Sequence, residues 1–129
     1  LDLPEAWPDP GWDADRHRAA FEGFLGFLKD NLAGNTNLRI AGEWCSQTAA
    51  LEGVSAFAPP DLILREEEMG TWLPAVARAV GRPDAPPPGY VREDAPVPLA
   101  AIYDARLEKR AREIYARDYE RLGFSDWAG

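Results

Sequence analysis

The chain has 129 residues, 46% of them hydrophobic and 28% charged. That length suits one domain that buries about two-thirds of its unfolded surface without metal or disulfide staples. Its 14 basic and 22 acidic side chains leave a formal charge of −8, which repels nucleic acid from most of the surface. Residues 99–129 hold six basic and six acidic side chains, so the whole deficit falls on residues 1–98. Cys45 is the one cysteine and has no disulfide partner within the chain. No apolar run approaches the roughly 20 residues that span a membrane. The opening Leu1-Asp2-Leu3-Pro4-Glu5 has neither the basic start nor the apolar stretch of a secretory leader. These features point to a cytoplasmic setting, and a start at Leu1 leads us to expect a piece of a longer protein.

In chain order, Pro4, Pro8, Pro10 and Gly11 forbid a regular element in residues 1–13. The segment reads as an extended arm that docks through Trp7 and Trp12. Asp13 then caps a helix over 14–32, whose stripe is Phe21, Phe24, Leu25, Leu28 and Leu32, with Gly34 as its left-handed stop. Residues 36–40 read as a short strand or an extended connection. A weaker helical pattern over 43–52 puts Trp44, Thr48 and Leu51 on one side, with Gly53 ending it.

Pro59 and Pro60 break the chain, and Leu62-Ile63-Leu64 reads as a buried strand over 62–65. Glu66, Glu67 and Glu68 suit a first helical turn, where carboxylates meet the positive end of the helix dipole. Met69, Trp72, Leu73, Val76, Ala77 and Val80 have helical spacing. Pro74 would cost about 3 kcal/mol in a helix interior. A cap at Thr71 and a regular helix over 72–80, closed by Gly81, avoid that cost. Six of the twelve prolines crowd residues 82–98, which read as a proline-rich loop within a single domain or domain fragment. Asp104 caps a last helix over 105–122 with Leu107, Ala111, Ile114, Tyr115 and Leu122 on its apolar side, and Gly123 stops it. The fold class is therefore mainly α with one or two short strands.

The chain lacks GxSxG, GxxxxGK[ST], HExxH and CxxC patterns. His17, the one histidine, reads as surface or capping chemistry, and Cys45 as a buried, inert thiol. The three glutamates point in three directions on a helix and do not converge on an ion. Asp118 falls on the apolar side of the last helix, near Tyr115. A carboxylate there needs partners, so it is expected to accept hydrogen bonds from an arginine, an indole N–H or the amides of another helix start.

The ending Glu113-Ile114-Tyr115-x-x-Asp118-Tyr119-x-x-Leu122-Gly123-Phe124 resembles the terminal motif of carbohydrate-type sulfotransferases, particularly bacterial ones. Glu43-Trp44-Cys45-Ser46-Gln47 resembles a degraded form of that family's His-Trp-x-Pro-Gln element. Glu43 stands for the histidine and Ser46 for the proline. Asp61-Leu62-Ile63-Leu64-Arg65-Glu66-Glu67 is similar to the family's strand-to-helix step. The three segments keep the family's order over residues 38–124.

The resemblance implies the C-terminal, helical part of an α/β, P-loop-like sulfotransferase fold. It also implies transfer of a sulfuryl group from 3′-phosphoadenosine 5′-phosphosulfate to a carbohydrate hydroxyl. The family's N-terminal phosphate loop and its following Arg…Ser element are missing, and Lys29 and Lys109 sit inside amphipathic helices. No cofactor is therefore expected on this chain, which should be inactive alone and should pack against the N-terminal half of its parent. Trp44 and Gln47 would lie nearest a bound carbohydrate, with Arg39 and Glu43 beside them. Asp118 and Tyr115 would be structural. The alternatives are an acidic helical module that recruits a basic protein partner, and a degenerate, non-catalytic family member.

Overall fold

The computed structural model describes residues 10–86 and 96–127. Most of the proposed N-terminal arm, including Trp7, and the centre of the proline-rich loop lie outside the described residues. Five α-helices make up the regular structure there: α1 (Ala14–Leu32), α2 (Gln47–Ser55), α3 (Met69–Ala79), α4 (Ala105–Ile114) and α5 (Ala116–Leu122). None is long and apolar enough to cross a membrane. The chain divides into two compact units, Leu1–Gly53 with Ala95–Gly129, and Val54–Asp94.

The first unit is built on α1. The Asp13 carboxylate accepts the Arg16 amide at 2.9 Å, satisfying one of the orphan donors of the first turn. At the other end Gly34 takes φ +76°, which lets Asn35 N–H return to the Asp30 carbonyl at 2.9 Å and Gly34 N–H to Asn31. Between these caps Leu25 and Leu28 bury against Leu107 of α4. Phe21, Phe24, Phe27, Trp44, Tyr103, Ile114 and Tyr115 pack around them. Arg18 ties the two helices further, donating to the Ile102 carbonyl and to Asp104, each at 2.7 Å. Asp104 meanwhile caps α4 through the Arg106 and Leu107 amides.

The tail is two helices rather than the continuous one expected over 105–122. Tyr115 leaves the helical region (φ −105°, ψ +30°), separating α4 from α5, and Gly123 ends α5 at φ +65°. The break has a tertiary cause. The Tyr115 hydroxyl is held by the Trp44 carbonyl at 2.8 Å, and Asp118 is held by residues 46–48.

The second unit holds a 3₁₀ turn over Glu66–Glu68 that runs directly into α3. The helix thus begins at Met69 rather than after a Thr71 cap, and Pro74 lies inside it. Pro74 has no N–H to give the Gly70 carbonyl, so α3 forms one hydrogen bond short. Its end is regular. Gly81 takes φ +74°, and Arg82 N–H returns to the Ala77 carbonyl at 2.7 Å. None of the unit's described residues is buried. Residues 62–65 do not form the expected strand, because a strand needs a ladder and no partner strand exists among the described residues. Residues 36–40 likewise form bends and irregular chain rather than a strand.

Candidate functional site

The helix pattern expected over 43–52 begins instead at Gln47 and runs through Gly53 to Ser55. Its start is fixed by a residue 71 positions away. Asp118 Oδ1 accepts from Ser46 Oγ at 2.7 Å and from Thr48 N at 2.9 Å, while Oδ2 accepts from Gln47 N at 2.9 Å. Of the three kinds of donor expected for Asp118, the structure supplies the amides of a helix start, with a serine hydroxyl added. Asp118 is only 4% exposed. Burial pushes its pKa up, but the hydrogen bonds and the hydroxyls of Thr48 and Ser46 outweigh this and hold it below the ordinary carboxylate value. Thr48 Oγ1 is itself buried and has no hydrogen bond of good geometry among the described residues. Outside this joint, Glu52 receives Arg117 at 2.9 Å and Arg121 at 2.6 Å, both exposed pairs.

Trp44 stands between this joint and the core. Its ring meets Phe24 and Phe27 edge-on at 6.2 and 6.0 Å, and its Nε1 donates to Asn31 Oδ1 at 3.0 Å. Asn31, 1% exposed, uses its amide nitrogen on Thr36 Oγ1 at 2.7 Å and the Leu38 carbonyl at 2.8 Å. One side chain thus pins the chain reversal after α1 and sets the height of the Trp44 indole.

A second polar cluster surrounds Glu108, which is 7% exposed. Its two oxygens accept from the Tyr103 hydroxyl at 2.7 Å and the Tyr119 hydroxyl at 2.8 Å. Burial and this carboxylate push Tyr119 up to about 12 and Tyr103 further still. Arg112 lies 4.4 Å above the Tyr119 ring and pairs with Asp126. A groove of about 530 Å³ runs over this cluster, walled by Tyr103 and Trp127, with Lys109, Arg112 and Asp126 at its rim.

The residues proposed to approach a carbohydrate are not gathered into that groove. Arg39, Glu43 and Gln47 are exposed, and Trp44 is half-buried in the aromatic core. Cys45 is half-buried rather than buried, with its Sγ 3.4 Å from the Gly42 carbonyl. His17 accepts the Trp12 indole N–H at Nδ1, 3.0 Å away, so the end of the arm does rest on α1.

Asn31 and Glu108 have no role in the sequence reading, and Tyr119 enters it only as part of the terminal motif, although their spacing carried the signal. Asn31 continues the Leu25–Leu28 series at i+3, and Glu108 lies seven and eleven residues before Tyr115 and Tyr119. A polar residue on an apolar stripe announces a hydrogen-bonding hub.

The described residues contain no group of three His, Cys, Asp or Glu placed to hold a metal. Helix starts are the usual phosphate sites. Here α1, α2 and α4 are capped by Asp13, Asp118 and Asp104, and α3 follows three glutamates. A phosphate at any of the four would face a carboxylate. No protein-family model, curated protein or solved structure matches the chain.

Proposed function

We propose that this chain is the C-terminal, acceptor-side segment of a sulfotransferase-like protein that passes a sulfuryl group from 3′-phosphoadenosine 5′-phosphosulfate to a carbohydrate hydroxyl. The observation that carries the reading is the meeting of two stretches of family-like sequence, 43–47 and 113–124. They are joined by Tyr115 on the Trp44 carbonyl and by Asp118 on Ser46 and Gln47. Motifs that are far apart in sequence yet bonded to each other act as one rigid platform.

In sulfuryl transfer the acceptor oxygen bonds to sulfur as the sulfur–phosphate oxygen bond breaks. The acceptor's proton passes to a base, and charge develops on the leaving phosphate. The carboxylates at the helix starts make this segment a poor home for that phosphate, so the donor is held by another segment. On this reading Trp44 fixes the platform from within, while the exposed Glu43 and Arg39 face the acceptor. Glu43 accepts from sugar hydroxyls, and Arg39 pairs with an anionic substituent. A non-catalytic, protein-recruiting role is the second reading. It is favoured by the exposed Phe57, Trp72 and Val80 of the second unit and by glutamate in place of histidine at position 43.

The test is calorimetry with 3′-phosphoadenosine 5′-phosphate together with a sulfuryl-transfer assay on an oligosaccharide acceptor. The 129-residue chain should show no sub-micromolar binding. The whole gene product should bind the nucleotide and transfer sulfate. Glu43→Ala and Arg39→Ala should lower that transfer without moving the thermal midpoint. A whole gene product that neither binds the nucleotide nor modifies carbohydrate overturns the proposal.

A further inference from the structure

After Gly123 the chain leaves α5 and returns to α4. Residues 124–127 have no regular secondary structure, yet three of them are seated on the helical pair. Phe124 meets the Tyr119 ring edge-on at 6.0 Å, Asp126 pairs with Arg112, and Trp127 meets the Tyr103 ring edge-on at 5.1 Å. The segment is held by an aromatic, an acidic and an aromatic side chain, in that order.

The seat is built firmly and its occupant is not. Tyr103 and Tyr119 both donate to the buried Glu108, at 2.7 and 2.8 Å, which fixes the spacing of the two rings. Arg112 lies 4.4 Å from the centre of the Tyr119 ring, a contact that holds its guanidinium without help from an acid. By contrast, the Asp126 side chain is 68% exposed and Trp127 is 43% exposed. The main chain of residues 125–127 is hydrogen-bonded to no other described residue. An exposed ion pair contributes little in water. A pre-organised site under a weakly held segment is one from which that segment is readily displaced.

Charge selects what displaces it. Over ten residues α4 carries Arg106, Lys109, Arg110 and Arg112, against Glu113 and the buried Glu108. In a chain of formal charge −8 this helix is a basic island that attracts acidic segments. Lys109 lines the groove beside Trp127 and forms no ion pair with any described residue. A ligand with a further acid engages this lysine, which Asp126 leaves unused. The tail of a second copy brings only what the seat already holds. It competes against a tethered tail whose effective concentration is roughly millimolar.

We infer that Tyr103, Arg112 and Tyr119 form a recognition site for an acidic–aromatic peptide segment of a partner protein, occupied here by the chain's own residues 124–127. The partner segment carries an aromatic residue, an acid two positions on, an aromatic residue next, and a flanking acid for Lys109. Recognition of this kind is independent of sulfuryl transfer.

Nuclear magnetic resonance titration with the acetylated peptide Gly-Phe-Ser-Asp-Trp-Glu-Glu tests it on the 129-residue chain. The chain carrying both Asp126→Ala and Trp127→Ala has a vacated seat and should bind the peptide more tightly than the parent. A seat filled nine-tenths of the time by its own tail makes that difference about tenfold. On the vacated chain, Arg112→Gln should weaken binding about tenfold, and so should asparagine in place of the peptide's aspartate. Lys109→Gln should erase the advantage of this peptide over one that stops at Trp. Protection of the Gln47 and Thr48 amides from exchange reports in every variant that the first unit is folded. Equal affinity for the parent and the vacated chain would overturn the inference. So would a folded vacated chain whose Tyr103 and Tyr119 signals do not move, or binding indifferent to the asparagine change. A parent that sediments as a dimer, dissociated by Trp127→Ala, would overturn the choice of partner in favour of tails exchanged between copies.

Discussion

Replacing Asp118 by alanine removes the acceptor for two main-chain amides and one hydroxyl, all within 2.9 Å. A hydrogen bond to a charged group contributes about 1.5–3 kcal/mol, and loss of a helix cap alone costs about 1 kcal/mol. The three bonds share one side chain and do not add. Truncation also leaves buried donors without an acceptor, so the range for breaking a buried charged network applies, about 3–5 kcal/mol. With a urea slope of about 2 kcal/mol/M, Asp118→Ala should lower the midpoint by about 2 M. Glu120→Ala, exposed on the same helix, should stay within about 0.5 kcal/mol of the parent. Circular dichroism at 222 nm during urea titration reads both. The pKa of Asp118 is lower in the folded than in the unfolded chain, so its stabilisation is full above the unfolded value and is lost as pH falls through the folded one. The parent should therefore lose stability on acidification below about pH 4 more steeply than Asp118→Asn. Equal urea midpoints for Asp118→Ala and Glu120→Ala would refute the capping argument.

Two further outcomes follow from the other polar hubs. Asn31→Ala should cost about 2–4 kcal/mol, because it leaves the Trp44 indole N–H without its acceptor and releases the turn at Thr36 and Leu38; a thermal melt measures this. Absorbance at 295 nm should show Tyr119 ionising near pH 12 and Tyr103 later, and Glu108→Gln should bring both toward 10. Their folded pKa values are raised, so the stabilisation they provide is complete below about pH 10 and declines above it.

How much of this could be read in advance depended on how local each determinant was. The helix over Ala14–Leu32 was legible because Asp13, the apolar stripe and Gly34 all lie within or beside it. The start of α2 was legible only in part: Ser46 stands at its cap position and its Oγ accepts the Ala49 amide at 3.3 Å, whereas the carboxylate that takes the Gln47 and Thr48 amides comes from residue 118. The break at Tyr115 was hidden. Residues 105–122 contain neither proline nor glycine, and only the contacts to Trp44 and to residues 46–48 interrupt the helix. Leu62-Ile63-Leu64 has the right pattern for a strand, but pattern supplies side chains and a ladder needs a neighbour. Asp118 was recognised as a residue needing partners from its phase alone. The groove over Glu108 was missed because residues 103–112 and 126–127, which line it, come from separate stretches.

The joint at Asp118 also sets an order of events. Every one of its hydrogen bonds links residues 70–72 positions apart, and Leu25 and Leu28 of α1 bury against Leu107 of α4. During synthesis residues 1–53 emerge before α4 is available to cover Phe21, Leu25 and Leu28. At 5–20 residues per second, the 65 residues up to Asp118 take roughly 3–13 s to follow. Closing so long a loop costs entropy before any contact offsets it, so the first unit assembles late and slowly for a helical protein of this size. Through that interval the nascent chain presents an aromatic helix face that a chaperone can hold.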